Sequence, residues 1–230
     1  MWHALPADVI RNHIMPYLDT PHGSGAPPSA KRRRRIYGGD DDDDNSRRPP
    51  GVPDVPAQPG ITPGQGEDRD LTDGDMKALA HPARVVTYAN IETWKRIPDG
   101  ATVLLLLTGP AVGHWLGLIR HGNSIEYFDP YGKPPDADFS WLSPETEAKL
   151  GESRKALTQL LDEAKAQGAV VTYNRHRLQS WAPNVQTCGR HVGARLASAA
   201  RGLTLDQHIA ALGANPDAAV TAWSENVLGH

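Results

Sequence analysis

The distribution of large apolar residues divides this chain into a part that can fold by itself and a part that cannot. Between residues 19 and 70 the sequence is rich in Pro, Gly and charge and has almost no large apolar side chains. Such a segment buries too little apolar surface to offset the conformational entropy lost on folding. We therefore expect residues 19–70 to be a disordered tail and residues 71–230 to form the folded domain.

The first 18 residues are a separate short segment. Their apolar side chains recur at helical spacing and are Leu5, Val9, Ile10, Ile14 and Leu18. This spacing predicts an amphipathic helix. Because an isolated helix of this length is marginal in water, we expect residues 1–18 to dock on the folded domain or on a partner.

The tail carries two blocks of opposite charge. An acidic block, Asp40–Asp44, follows a basic block formed by Lys31, Arg32, Arg33, Arg34 and Arg35. The basic block is a candidate contact for an activating nucleic acid or peptide, or a nuclear-import signal. The alternative is that both blocks are simply solvated, and the aspartates would compete for the basic block.

Composition excludes several classes of function. A net charge of −3 gives the whole molecule no bias toward nucleic acid or membrane, and the longest apolar run, Val103–Leu107, suits a buried strand rather than a membrane span. A single cysteine excludes an intramolecular disulfide framework. Ten scattered histidines give no zinc-ligand spacing. Since residues 1–18 lack a signal-peptide core, we expect a soluble, intracellular protein without metal or cofactor.

The folded part shows strands in the middle and helices at both ends. Strands are predicted at 84–88, 103–108 and 170–178, and a hairpin at 115–119 and 125–128 with its turn at 121–124. Helices are predicted at 73–79, 144–166, 205–212 and 217–228, and from residue 188. This order predicts an α+β domain with a central mixed or antiparallel sheet flanked by helices.

The cysteine, Cys188, has the surroundings of a nucleophile. A cysteine attacks as the thiolate, and an ordinary thiol has a pKa of about 8.5, so it needs help. Gly189 and a helix-forming stretch follow Cys188, which places the thiol at a helix N-terminus where negative charge is favoured. The alternative is a small buried apolar side chain.

The predicted hairpin supplies two partners for this thiol. His114 begins its first strand and Asp129 ends its second, so antiparallel pairing brings the two side chains together. Asp129 can then fix the tautomer of His114, whose other nitrogen faces the thiol. For an oxyanion hole, the Cys188 N–H needs a second donor. There are two candidates, Gln179 and Gln186. Gln179 closes the predicted strand that leads to the loop before Cys188, which we call the nucleophile loop (residues 180–187), and Gln186 lies inside this loop.

At these residues the chain resembles the adenovirus-type (adenain-like) and SUMO-protease-like cysteine peptidase superfamily. The matching residues, in the order His, Asp, Cys, are His114-Trp115, Asp129 before Pro130 and Gly132, Pro183-Asn184, and Cys188-Gly189. The resemblance covers about residues 71–201. The family places its oxyanion Gln directly before the Pro-Asn or one residue further back, so Gln179 implies a longer loop here.

The resemblance implies an endopeptidase that cuts after small residues such as Gly-Gly. Trp115, beside the catalytic histidine, would line a narrow substrate cleft. The sequence Phe-Asp-Pro-Tyr-Gly at 128–132 is similar to that of the viral members of the superfamily. This implies that the substrates are virion structural precursors, and that the enzyme acts in the cytoplasm or nucleus of a host cell and in the virion.

The tail contains a sequence similar to the cleavage motif of the adenovirus-type enzymes. Ile36 and Tyr37 precede Gly38 and Gly39, which gives an aliphatic residue, any residue, and Gly-Gly. We expect self-cleavage after Gly39, and the alternative is a flexible Gly-Gly turn.

Three other functions remain open at this stage. The same chemistry can remove SUMO or other ubiquitin-like modifiers. Bacterial effector acetyltransferases resemble this fold and use the same triad on acetyl-CoA. A non-catalytic adaptor with an inactive protease fold is the third alternative.

Overall fold

The computed structural model describes residues 66–109, 112–151 and 155–229. The helix expected at 1–18, both charge blocks, and Gly38 and Gly39 lie outside the described residues. The helices are α1 (Asp73–Leu79), α2 (Pro144–Leu150), α3 (Ala156–Ala166), α4 (Cys188–Ala200), α5 (Leu205–Leu212) and α6 (Pro216–Leu228). The strands are β1 (Arg84–Thr87), β2 (Gly100–Gly109), β3 (Val112–His121), β4 (Ser124–Phe128) and β5 (Val170–Tyr173). Two short 3-10 helices span Tyr88–Thr93 and Ala137–Trp141.

The five strands form one mixed sheet in the order β1-β2-β3-β4-β5. The central pairs β2-β3 and β3-β4 are antiparallel, and the two edge strands run parallel to their neighbours. The hairpin between β3 and β4 turns at Gly122, whose φ of 56° suits a glycine. The expected α+β architecture with a mixed sheet flanked by helices is confirmed.

Each face of the sheet packs on its own apolar cluster. One cluster joins the sheet to α1, α4 and α6 through Met76, Trp115, Phe128, Val192 and Trp223. The other lies under α3 and the 3-10 helices and is built from aliphatic and aromatic side chains, among them Leu116, Tyr127 and Phe139. Because β3 contributes alternate residues to both clusters, its position is fixed on two sides. α4 packs directly on β3, which brings Cys188 to the sheet.

Several element boundaries differ from those expected. The helix predicted at 144–166 is two helices, since α2 ends at Gly151 with a left-handed φ of 68°. The strand predicted at 170–178 ends at Tyr173, because the chain then turns to contact the loop after β4. Ordered structure also begins before residue 71: the Gln186 N–H donates to the Glu67 carbonyl at 2.6 Å.

The helix starts agree closely with the sequence patterns. Thr72 caps α1 and Thr204 caps α5, each through a reciprocal capping box. α5 ends at the predicted Gly213. Among the described residues, none of the helices has the length and apolar character that crossing a membrane requires.

Candidate active site

Cys188 is the first residue of α4 and is 8% exposed. N–H groups in the first turn of a helix have no partner within the helix, and the helix dipole there favours negative charge. α4 lies across β3, the strand that carries His114. The thiol predicted to be a nucleophile is therefore at a helix start and beside the predicted base.

His114 connects the two other predicted members of the triad. Its Nε2 lies 2.8 Å from Asp129 Oδ1, and Cys188 is near enough to raise the pKa of its ring. Since Asp129 engages Nε2, Nδ1 is the nitrogen left for the thiol. His114 and Asp129 are 4% and 0% exposed, so these contacts are shielded from water.

The loop after β4 holds the Asp129 carboxylate in place. Oδ1 also accepts from the Tyr131 N–H at 3.0 Å, and Oδ2 accepts from the Lys133 N–H at 2.8 Å. The turn requires Gly132, whose φ is 71° and whose added Cβ would lie 2.8 Å from the His176 backbone. The Asp-Pro-Tyr-Gly sequence therefore forms a turn that orients the carboxylate toward His114.

A second loop supports this turn from behind. Asn174 Nδ2 donates to the Asp129 carbonyl at 2.7 Å and to the His176 carbonyl at 2.8 Å. The N–H groups of Leu178 and Gln179 donate to the Pro130 carbonyl at 2.8 and 3.1 Å. The chain that leads to the nucleophile loop is thus tied to the loop that carries the carboxylate.

The electrostatic environment favours a protonated His114. Burial alone would lower its pKa, but its hydrogen bonds to Asp129 and Cys188 and the negative charges of these groups outweigh burial and raise the pKa to about 10. An imidazolium beside the thiol favours the thiolate that nucleophilic attack requires. A protonated imidazole is thus in place beside the thiol and can act as a proton donor.

The two glutamines predicted as oxyanion donors have different environments. Gln179 is 1% exposed, and its Nε2 donates to the Val185 carbonyl at 3.1 Å. The sequence suggested that Gln179 ends β5, but β5 ends at Tyr173. Gln179 is instead positioned by the hydrogen bond from its N–H to the Pro130 carbonyl. Gln186 has an exposed side chain and lines the cleft beside Cys188. Of the two side-chain amides, that of Gln179 is buried and held by a hydrogen bond, whereas that of Gln186 is exposed.

A cleft of about 320 Å³ opens at Cys188. It is bounded by the segment before α1, the end of β2, the start of β3 and the nucleophile loop. Trp115 lines this cleft, but the side chain is only 5% exposed and belongs largely to the core between β3 and α4. Its expected substrate contact is therefore limited to the edge that reaches the cleft.

Gly189 allows the close packing that places the nucleophile. A Cβ at this position would lie 2.8 Å from Met76 Sδ, 3.0 Å from Trp115 Cδ1 and 3.1 Å from Leu71 Cδ1. These distances are shorter than van der Waals contact, so any side chain here must displace the start of α4 or its neighbours.

We predict that Gly189→Ala lowers the free energy of unfolding by about 1–3 kcal/mol, as overpacking does in other cores. Urea unfolding followed by tryptophan fluorescence measures the change. Gly74→Ala in α1 is the matched control, since its Cβ would meet nothing closer than 3.5 Å and alanine favours a helix. Equal effects of the two substitutions would contradict this packing account.

Asp217 of α6 is a residue that the sequence patterns did not single out. Its carboxylate accepts from the Thr187 hydroxyl, lies 3.0 Å from His191 Nε2, and accepts from the Ser180 N–H at 2.9 Å. Ser180 directly follows Gln179, and Thr187 directly precedes Cys188. Asp217 therefore clamps both ends of the nucleophile loop, and no local motif could reveal it because it lies some 30 residues further along the chain.

Asp138 is a second carboxylate beside His114. Its Oδ2 lies 3.7 Å from His114 Nε2, its Oδ1 lies 3.1 Å from Lys133 Nζ, and the residue is 2% exposed. Burial raises the pKa of Asp138, and the charges of His114 and Lys133 oppose this. His114, Asp129 and Asp138 have the spacing of a metal-ligand group, but the cation that Asp138 contacts is the Lys133 ammonium.

The fold and the site define an α+β protein with a buried Cys-His-Asp arrangement at a helix start. No protein-family model matches the chain. The uncharacterized protein V9 of Sputnik virophage is 31% identical over 127 residues, which cover 53% of this chain and 71% of V9. The chain therefore belongs to the family of this virophage protein.

Among solved structures, the chain is similar to the central domain of the uncharacterized Lpg1148 protein from Legionella pneumophila. The identity is 18% and the TM-score 0.37, and the match covers 70% of this chain and 100% of that domain. A likeness this distant carries no information about the function of the present protein.

Proposed function

We propose that this protein is a cysteine endopeptidase that cleaves polypeptides after small residues such as Gly-Gly. The observation that carries the proposal is the buried His114–Asp129 pair, whose Nε2 and Oδ1 atoms lie 2.8 Å apart, in an environment where Cys188 helps to raise the pKa of His114. Because Cys188 also begins α4 and opens on a cleft, nucleophile, base and orienting carboxylate meet where a substrate can enter. These are the parts of a nucleophilic acyl-transfer site.

The chemistry proceeds in two steps. The Cys188 thiolate attacks the scissile carbonyl carbon, and the oxyanion is stabilised by the Cys188 N–H and the Gln179 amide. His114 gives its proton to the leaving amine as the C–N bond breaks, leaving a thioester on Cys188. A water then loses a proton to His114 and attacks the thioester. Breaking of the C–S bond releases the new carboxyl terminus and restores the Cys188 thiolate beside a protonated His114.

Membership in the family of a virophage protein supports a viral setting. We propose virion structural precursors as substrates and the host cell and the virion as the places of action. Self-cleavage after Gly39 belongs to the same proposal, since the enzyme would recognise its own Ile-Tyr-Gly-Gly sequence.

The function is tested by incubating the purified full chain, beside a Cys188→Ala form, with peptides that contain an internal Gly-Gly. Mass spectrometry should find cleavage after Gly-Gly, and a tail shortened at Gly39, with the active form alone. Cleavage of SUMO or ubiquitin probes but not of these peptides would favour a deconjugating enzyme. Acetylation of a target without cleavage would favour an acetyltransferase, and function intact in Cys188→Ala would favour an adaptor.

The oxyanion donor can be identified by comparing two substitutions. Gln179→Ala is expected to lower kcat by about 10²–10³-fold, as loss of one oxyanion-hole donor does elsewhere. Gln186→Ala should lower kcat less than tenfold, because its side chain is exposed. Steady-state cleavage of a Gly-Gly peptide measures both, and a larger loss in Gln186→Ala would transfer the role to Gln186.

A further inference from the structure

An exposed aromatic surface lies beside His114 and is not part of the cleft at Cys188. It consists of Tyr131, Lys133, Trp141 and Trp181, and we call it the aromatic platform. The Tyr131 and Trp181 rings are stacked at 4.1 Å with an interplanar angle of 6°. Trp141 stands edge-on to both rings, at 5.8 and 6.1 Å, and Lys133 Nζ lies 3.6 Å from the Trp141 ring centroid.

The platform is exposed to an extent that large aromatic side chains seldom are. Trp141 is 41% and Trp181 is 50% exposed, and they are two of the four large apolar residues exposed in the described part of the chain. Their rings are nevertheless held in fixed relative positions by the contacts with Tyr131 and Lys133. Apolar surface that is clustered, ordered and exposed is typical of a binding site.

The platform lies directly against His114, the proposed general base. The His114 ring is stacked on Tyr131 at 5.1 Å and meets Trp141 edge-on at 5.6 Å. The cleft at Cys188 is lined by Leu71, Trp115 and their neighbours, and by none of the platform residues. His114 therefore contacts the platform through Tyr131 and Trp141 and is also the neighbour of Cys188.

In acyl transfer by a cysteine, the histidine delivers its proton to the leaving amine. The substrate segment that begins with this amine must therefore leave the site on the side of His114. The cleft on the Trp115 side is then left for the segment that ends at the scissile carbonyl. This assigns the two surfaces to opposite sides of the scissile bond.

We propose that the aromatic platform binds the substrate residue that follows the scissile bond and that it selects an aromatic side chain there. This inference rests on the proposed peptidase function and adds a specificity to it. A further ring can continue the Tyr131 and Trp181 stack or meet the Trp141 ring edge-on, the two arrangements that aromatic rings prefer. Lys133 offers no free cation for an acidic side chain, because Asp138 already contacts its ammonium at 3.1 Å. Self-cleavage before Asp40 should therefore be slower than cleavage of a Gly-Gly peptide that continues with an aromatic residue.

The test uses two peptides that share an N-terminal half ending in Gly-Gly and continue with either Phe or Ala. The wild-type protein should cleave the Phe peptide with a kcat/KM about tenfold higher, the scale of selectivity that one apolar subsite provides. Trp181→Ala should bring this ratio close to one. Trp141→Ala is a second variant with the same expected result, and Val170→Ala is the control, since Val170 is 63% exposed on β5 and lies outside the site.

A Gly-Gly electrophile that carries nothing beyond its reactive carbon separates this inference from the proposed function. The wild-type protein and the Val170→Ala control should react with it at the same rate, and this labelling reports the nucleophile alone because the probe does not reach the platform. A wild-type ratio near one, or a ratio that survives both tryptophan substitutions, overturns the platform while labelling still supports the peptidase. Absence of labelling and of cleavage in the wild-type protein overturns both.

Discussion

Replacing His114 with alanine is expected to lower kcat/KM for a Gly-Gly peptide by at least about 10⁴-fold. In the proposed mechanism His114 protonates the leaving amine and then takes a proton from the attacking water. Loss of one member of a triad typically costs this much because the members act as a unit. Steady-state cleavage measured with a fluorogenic peptide gives the ratio. His121→Ala is the matched control, since His121 ends the same strand and is exposed.

The same histidine predicts a pH dependence of stability. Its pKa rises from 6.5 to about 10 in the folded protein, so the folded state binds the proton more tightly than the unfolded state. This stabilisation is fully present below about pH 6.5 and is lost as the pH rises through about 10. The difference in unfolding free energy between the wild-type protein and His114→Gln should therefore shrink between pH 6 and pH 10.5. A constant difference would contradict the raised pKa.

Asp217→Ala is expected to have the largest effect on stability, about 3–5 kcal/mol, because it removes the common acceptor of three hydrogen bonds and each buried donor left unpaired costs about 1–3 kcal/mol. The substitution leaves His191, Thr187 and the Ser180 N–H without their acceptor inside the protein. Burial alone would raise the pKa of Asp217, but the hydrogen bonds from His191 and Thr187 lower it below the ordinary value. Its stabilisation is therefore present at neutral pH and is lost as the pH falls below about 4.

Chemical denaturation at pH 7 measures the effect of Asp217→Ala. Asp206→Ala is the control, because Asp206 is exposed in the first turn of α5 and should contribute less than about 1 kcal/mol. Cleavage by Asp217→Ala should also fall under conditions in which the variant remains folded, since the nucleophile loop loses its clamp. A destabilisation no greater than that of the control would show that Asp217 does not hold this loop.

The sequence predicts those parts of the candidate site that depend on residues close to one another in the chain. His114 and Asp129 were predicted to meet because they flank one hairpin, and antiparallel pairing makes their approach a matter of register. Cys188 was placed at a helix start because the residues after it favour a helix. The capping boxes at Thr72 and Thr204 follow from the same kind of short-range chemistry.

Contacts between distant segments could not be predicted from these patterns. Asp217 reaches Thr187 from another helix, and Trp141 and Trp181 meet although 40 residues separate them. Gln179 was assigned to the end of a strand, but β5 ends six residues earlier because Asn174 turns the chain toward Asp129. In each case tertiary contacts decide the position, and a single sequence carries no signal for them.

In the proposed function Cys188 is a nucleophile activated by His114. The most direct measurement is covalent labelling of the full chain by an electrophilic peptide that ends in Gly-Gly, followed by mass spectrometry of the modified residue. We expect rapid modification of Cys188 at pH 7, no modification in Cys188→Ala, and a rate in His114→Ala lower by orders of magnitude. A Cys188 that stays unmodified in the wild-type protein, or that reacts equally fast without His114, would contradict it.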